Sequence, residues 1–453
     1  MRPNVLLLHC HDLGRYLGCY GNRTVRSPHL DQLAADGVTF SQAFATAPQC
    51  SPSRASLFTG RWPHSTGVMG LTHGDFGWDL HPGERHLAER LGGAGYRTSL
   101  VGVHHESRVR ADARIAARLG FDEVVTGGLA DVVADRAIER LERFAAGDAP
   151  FYLQAGFFEP HRLPGKRDPE GVAGFLGDAI EPDDHLGVEI PPYLVDDAGA
   201  RVEVAELQGA IRHMDAAAGR VLARLDELGL TDNTLVVFTT DHGLALPRAK
   251  CTLYDPGLET ALIMRLPARG WGGGGTHDAL VPNIDIVPTL LDAAGLPSDA
   301  VLHGRSLASL LDGGSYRPRT EIFGELTHHD YYDPKRCIRT DQYKLIANFS
   351  SAPEIMDSSQ SWRPRSTPRT SGAARVPFHP PVELYDLVRD PDEMVDLAHD
   401  PDSAGIRDEL AGRLASWMRS TGDPLVDGAV TPPLHHRTLA ALDADADAAG
   451  QAV

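Results

Sequence analysis

The stretch from Val5 to Asp12 reads VLLLHCHD, and it indicates the class of fold. Its apolar run is too short to cross a membrane and too apolar for a half-exposed strand, so residues 5–9 predict a strand covered on both faces. Similar runs follow at residues 98–102, 151–157, 234–239 and 261–265. Strands that alternate with helices predict an α/β protein with a large, doubly wound, mixed or mostly parallel sheet.

Amphipathic segments between these runs predict the helices that flank the sheet. The clearest covers residues 202–228, where Leu207, Ile211 and Met214 share one face and Gly229 ends the helix. Further helices are predicted at residues 29–36, 87–94, 131–146 and 284–294.

The pattern changes near residue 320, where a smaller α+β domain with an antiparallel sheet is predicted. Its strands are expected at residues 320–326, 335–348 and 382–387, and its closing helix at 406–420. Residues 350–381, rich in Ser, Pro and Arg, predict a long irregular loop. We therefore expect a large domain over 1–319, a smaller one over 320–437 and an Ala/Asp-rich tail over 438–453 that frays.

Composition excludes several classes of protein. The chain has 453 residues, with 43 basic and 62 acidic side chains and a formal charge of -19. Such an excess of negative charge argues against binding to nucleic acid or to an anionic membrane. The first residues lead directly into the strand without a signal-like segment, which predicts a cytoplasmic protein.

Five cysteines are present, an odd number without metal-site or disulfide spacing. We expect four of them to be small buried residues, and Cys50 to be different. It opens the stretch CSPSRASLFTG, in which Ser51 suits an N-cap, Pro52 the first helical position and Gly60 the stop. Cys50 would then precede a helix N-terminus, which favours a thiolate or a bound oxyanion, and Arg54 could turn back toward it.

In the first two-thirds of the chain, a polar cluster follows every predicted strand except the last one, at residues 261–265. Because ligands bind beyond the carboxyl ends of strands in open parallel sheets, these clusters predict one site that also includes Cys50. They are His11-Asp12, His104-His105-Glu106, Glu159-Pro160-His161-Arg162 and Asp241-His242-Gly243.

The Cys-x-Pro-x-Arg pattern at Cys50, followed by ASLFTGR, resembles the signature of the sulfatases, within the alkaline phosphatase superfamily. Segments at 336–345 and 383–393 are similar to the C-terminal part of that family. Among its branches, the sulfamidases, or N-sulfoglucosamine sulfohydrolases, look most similar. The segments that carry this likeness are 70–73, 158–162, 252–257 and 327–329.

The resemblance implies that a formylglycine-generating enzyme oxidises Cys50 to formylglycine, whose hydrate has two hydroxyl groups. It also implies that a divalent metal ion, usually Ca²⁺, binds to Asp12, Asp241 and position 50, and that Arg54 holds the modified residue. One hydroxyl would attack sulfur to give a sulfated intermediate, and the second would then be deprotonated to expel sulfate.

Three further residues take roles in that implied reaction. His161 would protonate the leaving atom, and His105 would remove the proton from the second hydroxyl. Lys250 corresponds to a second basic contact with sulfate.

Three positions depart from the family pattern. His11 stands where the family has a second aspartate, His242 where it has asparagine, and Val103 where it has a lysine. The changes at 11 and 103 remove one negative and one positive charge, so the net charge of the site is roughly kept. Imidazole ligands at His11 and His242 favour Mn²⁺, Fe²⁺ or Zn²⁺ over Ca²⁺, unless His11 merely braces Asp12.

These features predict a hydrolase for a small anionic sulfated substrate, either a sulfate ester or a sulfamate. The organic half stays open among a glucosamine N-sulfate, a carbohydrate O-sulfate and an aryl sulfate, and the likeness to sulfamidase implies a homodimer. A phosphonate monoester or phosphodiester hydrolase of the same superfamily is the alternative. A non-catalytic binding module is disfavoured because Cys50, Arg54 and the metal carboxylates are all present.

Overall fold

A central strand, β1 (Asn4–Cys10), organises the main sheet. The computed structural model describes residues 2–162, 174–176, 180–356, 365–369 and 378–450. Within them, Val5 and Leu7 belong to one hydrophobic core, whereas Leu6 and Leu8 belong to another. Alternate side chains of a strand point to opposite faces, so burial on both faces explains the continuous apolar run.

The described strands are numbered in chain order. They are β1, β2 (Val38–Phe40), β3 (Ala43–Phe44), β4 (Arg97–Gly102), β5 (Glu123–Thr126), β6 (Phe151–Gly156), β7 (Thr234–Thr240), β8 (Leu262–Arg265), β9 (Gly275–His277), β10 (Val281–Pro282), β11 (Ile322–His328), β12 (Tyr332–Arg339), β13 (Tyr343–Asn348) and β14 (Val382–Asp386).

The described α-helices pack on both faces of the main sheet and beside the smaller one. They are α1 (Pro28–Asp36), α2 (Cys50–Thr59), α3 (Pro63–Thr66), α4 (Leu87–Gly92), α5 (Asp112–Leu119), α6 (Ala130–Ala145), α7 (Ala198–Glu227), α8 (Asp255–Leu258), α9 (Ile286–Ala293), α10 (Ala308–Leu311), α11 (Ala404–Thr421) and α12 (Pro433–Gly450).

The main sheet, as far as it is described, has eight strands in the order β5-β4-β6-β1-β7-β8-β2-β9. The strands from β5 to β7 are all parallel, so their carboxyl ends meet at one edge. This arrangement confirms the predicted α/β sheet. It also explains the one predicted strand without a polar cluster: β8 runs antiparallel to β7, so its end points away from that edge.

The smaller sheet contains β11, β12, β13 and β14 in that order, and every neighbouring pair is antiparallel. The single strand predicted over 335–348 is in fact two strands, because the chain turns where Thr340 N–H donates to the carbonyl of Tyr343. The loop predicted over 350–381 lies largely outside the described residues. None of the described helices is both long and apolar enough to cross a membrane.

Part of the predicted tail over 438–453 is helical, and its fraying stays a prediction. The tail begins inside α12, which extends from Pro433 to Gly450, although its side chains are mostly exposed up to residue 443. Alanine has the highest helix propensity, which accounts for helical backbone in this Ala-rich segment. The domain boundaries at 319 and 437 stay a prediction.

Candidate active site

The carboxyl ends of β1, β4, β6 and β7 meet the N-terminus of α2 at one buried place. Residues that are distant in the sequence come together there, as the polar clusters predicted. The predicted residues that line this place are His11, Asp12, Cys50, Arg54, His105, His161, Asp241, His242 and Lys250.

Helix α2 carries the nucleophile candidate. It begins at Cys50 itself, with Gln49 as the extended N-cap and without a side-chain cap. The prediction that Ser51 caps the helix was therefore wrong, because its hydroxyl lies 3.0 Å from Nδ1 of His105 instead. Gly60 ends the helix in the left-handed conformation at φ 73°, as predicted. The unpaired N–H groups of the first turn favour negative charge at position 50.

Two buried carboxylates, Asp12 and Asp241, lie next to Cys50. Asp12 adopts a left-handed backbone at φ 51°, which is uncommon for a residue with a side chain. Its N–H donates to Oδ1 of Asp241 at 2.9 Å, which ties the end of β1 to the end of β7. Arg54 Nε donates to the other oxygen of Asp241 at 3.1 Å, and Lys250 Nζ donates to both oxygens of Asp12 at 2.9 and 3.1 Å.

Cys50 is buried among these charges. Its Sγ lies 3.3 Å from Nε2 of His242 and 3.9 Å from Oδ1 of Asp12. Burial raises the pKa of the Cys50 thiol, but the Lys250 ammonium and the His242 ring outweigh it and leave the pKa well below its usual range. Burial likewise raises the pKa of Asp12, but Lys250, His161 and His242 together outweigh it and leave the pKa well below its usual range, so this carboxylate stays ionised.

His242 points its Nε2 at the same centre. Its Nδ1 lies 3.0 Å from the carbonyl oxygen of Gly243, which fixes the ring and makes Nδ1 the hydrogen-bond donor. Nε2 lies 3.1 Å from Oδ1 of Asp12. Burial lowers the pKa of His242, but Asp241, Cys50 and Asp12 raise it to about 10.

These residues fit a divalent metal ion. Ligand atoms of His11, Asp12, Cys50 and Asp241 all lie within 4.8 Å of one another, and all four residues are buried. His242 adds a nitrogen whose partner nitrogen is held by a carbonyl, the usual arrangement of a metal-bound histidine. The set combines carboxylate oxygen with imidazole nitrogen, so it suits Mn²⁺, Fe²⁺ or Zn²⁺ as well as Ca²⁺.

His11 lies inside this group rather than behind Asp12. Its Nδ1 is 3.0 Å from Oδ2 of Asp241. Burial and Arg54 lower the pKa of His11, but Asp241 and the hydrogen bond to Cys50 outweigh them and raise it. Its ring packs edge to face on Phe158, His105 and His161, with centroids 5.3 to 5.9 Å away. The ring therefore connects the metal-ligand candidates to the other histidines.

His105 and His161 flank the centre. Burial lowers the pKa of His161 to about 4, and its Nδ1 lies 2.8 Å from the carbonyl oxygen of Arg162, so Nε2 faces Asp12 at 3.6 Å. Burial is the main reason why the pKa of His105 lies well below its usual range, and the neighbouring rings of His11 and His73 lower it further. Both rings are therefore neutral near pH 7 and can accept a proton.

The structure adds residues that the sequence did not single out. Arg54 Nη1 donates to Nδ1 of His9 at 2.7 Å, so a histidine near the carboxyl end of β1 helps to orient the arginine. Thr72 N–H donates to the Ser51 hydroxyl at 3.2 Å, and its own hydroxyl donates to the carbonyl of His105 at 3.0 Å. The same-face spacing of His9 and His11 was a usable signal for the first. Thr72 lies in segment 70–73, which resembles the sulfamidases, but that likeness assigned no role to its side chain.

Comparison with known proteins gives the family. The sequence model described as Sulfatase matches residues 3–296, well over half of the chain. This chain belongs to the sulfatase family. A second model, described as N-sulphoglucosamine sulphohydrolase, C-terminal, matches residues 244–361. The protein is accordingly an enzyme of the sulfuric ester and sulfamate hydrolases.

Two relatives illustrate the likeness. Human N-sulphoglucosamine sulphohydrolase is 30% identical, in an alignment that covers 94% of this chain and 92% of that protein. An ulvan-active sulfatase of Formosa agariphila is 27% identical over 445 residues, covering 96% of this chain and 83% of that protein. Both matches therefore extend over nearly the whole chain rather than over the nucleophile segment alone.

Solved structures share the fold at low identity. One, described as a complex with its substrate D-glucosamine-2-N,6-O-disulfate, has a TM-score of 0.70 and 20% identity, covering 93% of this chain and 99% of that one. The phosphonate monoester hydrolase of Agrobacterium radiobacter has a TM-score of 0.67 and 21% identity, covering 93% and 96%. The fold alone therefore does not distinguish sulfate from phosphonate chemistry.

Proposed function

We propose that the protein hydrolyses a sulfate ester or a sulfamate at the site around Cys50, after oxidation of this cysteine to formylglycine. The observation that carries the proposal is the position of Cys50. It lies at the first residue of α2, with Sγ 3.3 Å from His242 Nε2 in a buried set of metal-ligand candidates. A structural cysteine has no need of such surroundings.

Position 50 needs maturation before it can react in this way. Hydrated formylglycine offers oxygen nucleophiles where the thiol now lies. Because Cys50 is only 3% exposed, a formylglycine-generating enzyme has to reach it before the chain folds. Co-expression with that enzyme is therefore preferable to treatment of the purified protein.

The metal ion, when bound, would act as a Lewis acid that acidifies the nucleophile and stabilises charge on sulfate. Asp12, Asp241, His242, His11 and position 50 would hold it. The imidazole nitrogens favour Mn²⁺, Fe²⁺ or Zn²⁺, and elemental analysis of protein purified without added metal tests this preference. Calcium alone in that analysis would contradict it.

The charged residues around the ligands fix the geometry. Arg54 is fully buried, and its hydrogen bonds to Asp241, His9 and the carbonyl of Cys10 fix its position. It therefore holds the Asp241 carboxylate in place before any substrate binds. Lys250 places a second positive charge beside Asp12 and Cys50. Together the two cations make the floor of the site suitable for an anionic sulfate in a protein of strongly negative net charge.

The neutral histidines handle protons. His161 can take up a proton at Nε2, because Nδ1 is directed at a carbonyl oxygen, and an anionic sulfate nearby raises the pKa of this ring. We assign to it the protonation of the leaving oxygen or nitrogen. His105 is the base that removes a proton during the second half of the reaction, with the Ser51 hydroxyl at its Nδ1.

Mass spectrometry of the peptide that carries Cys50, together with sulfate release by the same preparation, tests the proposal. We expect the mass of the aldehyde or its hydrate, and sulfate release in proportion to the modified fraction. An unmodified thiol after co-expression, with sulfate release unchanged, would contradict it. The first substrates to compare are a glucosamine N-sulfate, a carbohydrate O-sulfate and an aryl sulfate.

A phosphonate monoester hydrolase is the second candidate, because His242 contributes nitrogen to the ligand set and the fold is shared with such an enzyme. Relative rates on an aryl sulfate and the matching aryl phosphonate distinguish the two. The match of residues 244–361 to the N-sulphoglucosamine sulphohydrolase C-terminal model favours the sulfate.

A further inference from the structure

A row of polar side chains leads from the candidate active site into the interior of the protein. Arg54 Nη1 lies 2.7 Å from Nδ1 of His9, and Nε2 of that ring lies 3.3 Å from Nε2 of Gln154. The hydroxyl of Tyr152 lies 2.8 Å from Oε1 of Gln154. All four side chains are fully buried, so each polar atom of the row needs a partner within the protein.

The neighbouring elements are shaped around the His9 ring. His9 and Gly156 are paired in the register of β1 and β6. A Cβ at position 156 would lie 2.5 Å from Cε1 and 2.8 Å from Nε2 of His9, so a larger residue would displace the ring. Phe58 of α2 packs against the same ring edge to face, with centroids 5.3 Å apart. Contacts with both β6 and α2 therefore hold the imidazole in one orientation.

The hydrogen bond from Arg54 determines which nitrogen of His9 carries the proton. A guanidinium group has only N–H donors, so Nδ1 of His9 has to be the acceptor. A neutral imidazole has one donor and one acceptor nitrogen, and the hydrogen is therefore on Nε2. This N–H requires an acceptor in its turn, and the side chain beside it is Gln154.

Gln154 supplies that acceptor when its amide oxygen faces the ring. The C=O and NH₂ ends of an amide have nearly the same shape, and a half-turn about the last side-chain bond exchanges them. The amide nitrogen then lies at the Tyr152 hydroxyl, whose oxygen accepts. Each contact of the row thus joins a donor to an acceptor, whereas the opposite orientation sets the N–H of His9 against an N–H of Gln154.

The acceptor behind Arg54 is uncharged, which matters for the site. Arg54 Nε also donates to Asp241 at 3.1 Å. A carboxylate in place of His9 would hold the guanidinium group equally well, but it would cancel its positive charge at close range. A neutral imidazole fixes the position of Arg54 and leaves that charge to act on Asp241 and on an anionic substrate.

We propose that His9 is a positioning residue that holds Arg54 as the Nε2–H tautomer, and that Gln154 stabilises this tautomer through its amide oxygen. The two residues support Arg54, and through it Asp241, from inside the main sheet with uncharged groups. Their contribution to turnover rests on the proposed sulfatase function, whereas the hydrogen-bond arrangement does not.

Nitrogen NMR of protein with isotope-labelled histidine, matured at position 50, tests the tautomer without altering the row. The signals of His9 are those that disappear in His9→Asn. We expect the chemical shifts of an imidazole protonated at Nε2 and unprotonated at Nδ1. The shifts of an Nδ1–H ring would overturn the proposal, because Arg54 could not then donate to it.

Rates of sulfate release, divided by the formylglycine content of folded protein, test the positioning role. His9→Leu removes the acceptor, whereas His9→Asn keeps an oxygen at the place of Nδ1. Gln154→Leu removes the amide. Leu7→Met is the matched control, because Leu7 is paired with Gln154 in the register of β1 and β6 and has an apolar side chain.

We expect kcat to fall about 30-fold in His9→Leu and about five- to tenfold in Gln154→Leu, since a buried hydrogen bond to a charged group is worth more than one between neutral groups. In His9→Asn it should stay within about fivefold of wild type, and in Leu7→Met within about twofold. If His9→Leu does not fold, Gln154→Leu replaces it, and a rate equal to that of Leu7→Met would overturn the role of Gln154.

Two outcomes separate this inference from the function on which it rests. Equal losses in folded His9→Asn and His9→Leu, with an active wild type, overturn the positioning role and leave the proposed function intact. A matured wild type that releases no sulfate overturns the proposed function and the contribution of His9 to turnover, while its nitrogen NMR spectrum still decides the tautomer.

Discussion

Two buried groups of histidines and carboxylates among the described residues have the composition of a metal site, and they differ in what lies between their acids. One is the candidate active site. The other, here named the His64 cluster, consists of His64, Glu325, Arg336 and Asp423. It joins α3 to β11, β12 and the segment after α11, so it fastens the smaller sheet to the region behind the nucleophile helix.

In the His64 cluster, a guanidinium group already lies between the acids. Arg336 Nε and Nη2 donate to the two oxygens of Asp423 at 2.5 and 3.0 Å, and Nη2 lies 3.4 Å from Glu325. His64 Nδ1 lies 3.0 Å from both oxygens of Glu325. Both carboxylates thus have cationic or N–H partners. Among the polar side-chain atoms of His64, Glu325 and Asp423, only Nε2 of His64 lacks a described partner.

The candidate site is arranged differently. Arg54 contacts Asp241 and Lys250 contacts both oxygens of Asp12, so each cation serves a single acid, while a thiol, an imidazole nitrogen and carboxylate oxygens converge on one point. Closeness of ligand-type residues is therefore a weak criterion for a metal site. The stronger criterion is whether a single protein cation already lies between the acids, as Arg336 does in the His64 cluster.

The largest expected effect is that of Cys50→Ser. A serine hydroxyl can attack sulfur with loss of the leaving group, but it has no second hydroxyl from which to expel sulfate. Turnover should therefore fall at least about 1,000-fold, and the protein should carry one sulfate ester on the introduced serine after exposure to substrate. Intact-protein mass spectrometry checks this, and continued multiple turnover would refute the mechanism.

The next largest effect tests the His64 cluster. Arg336→Met leaves two buried carboxylates without their cation, so the free energy of unfolding should fall by about 3–5 kcal/mol. Denaturant unfolding measures it, with Arg389→Met as control, because Arg389 is 87% exposed beside Asp386. In the folded fraction, kcat/KM and bound metal should stay within about twofold. A loss of metal from folded protein would show that this cluster, too, contributes a metal site.

The contrast also shows what could be predicted from the sequence. Residues that follow buried parallel strands, such as Asp12 and Asp241, were predictable because strand direction alone brings the ends of β1 and β7 together. The short strands β2 and β9 carry no apolar run long enough to detect, and the antiparallel direction of β8 depends on partners distant in the sequence. Arg336 was read only as part of a strand, since its ion pair with Asp423 spans 87 positions.

A smaller effect separates two serines of α2. Ser51→Ala removes the hydroxyl at Nδ1 of His105, so the ring loses its orientation and kcat should fall about tenfold. Ser56→Ala is the matched control on the same helix, because its buried hydroxyl has no partner among the described residues and its loss should be nearly neutral.

Ser51 adjoins Cys50, so the rate of the Ser51→Ala variant is divided by its formylglycine content, measured on the same sample. A positioning role also predicts a change in the pH profile of kcat, because the basicity of His105 depends on its Nδ1 partner. An unchanged profile together with an unchanged corrected rate would assign Ser51 to packing alone.

The smallest expected effect is the most informative about the departures from the family pattern. Val103→Lys restores a positive charge next to His11 and His105, where the substitution of an aspartate by His11 has already removed a negative one. Burial lowers the pKa of His105, and the rings of His11 and His73 lower it further, so an added ammonium would only disfavour proton uptake there. We therefore expect kcat/KM for methyl sulfate to change by less than about threefold, measured by sulfate release. A gain above tenfold would show that the enzyme lost activity when position 103 lost its lysine. The small change that we expect indicates instead that the positive charge missing at position 103 and the negative charge missing at position 11 offset each other.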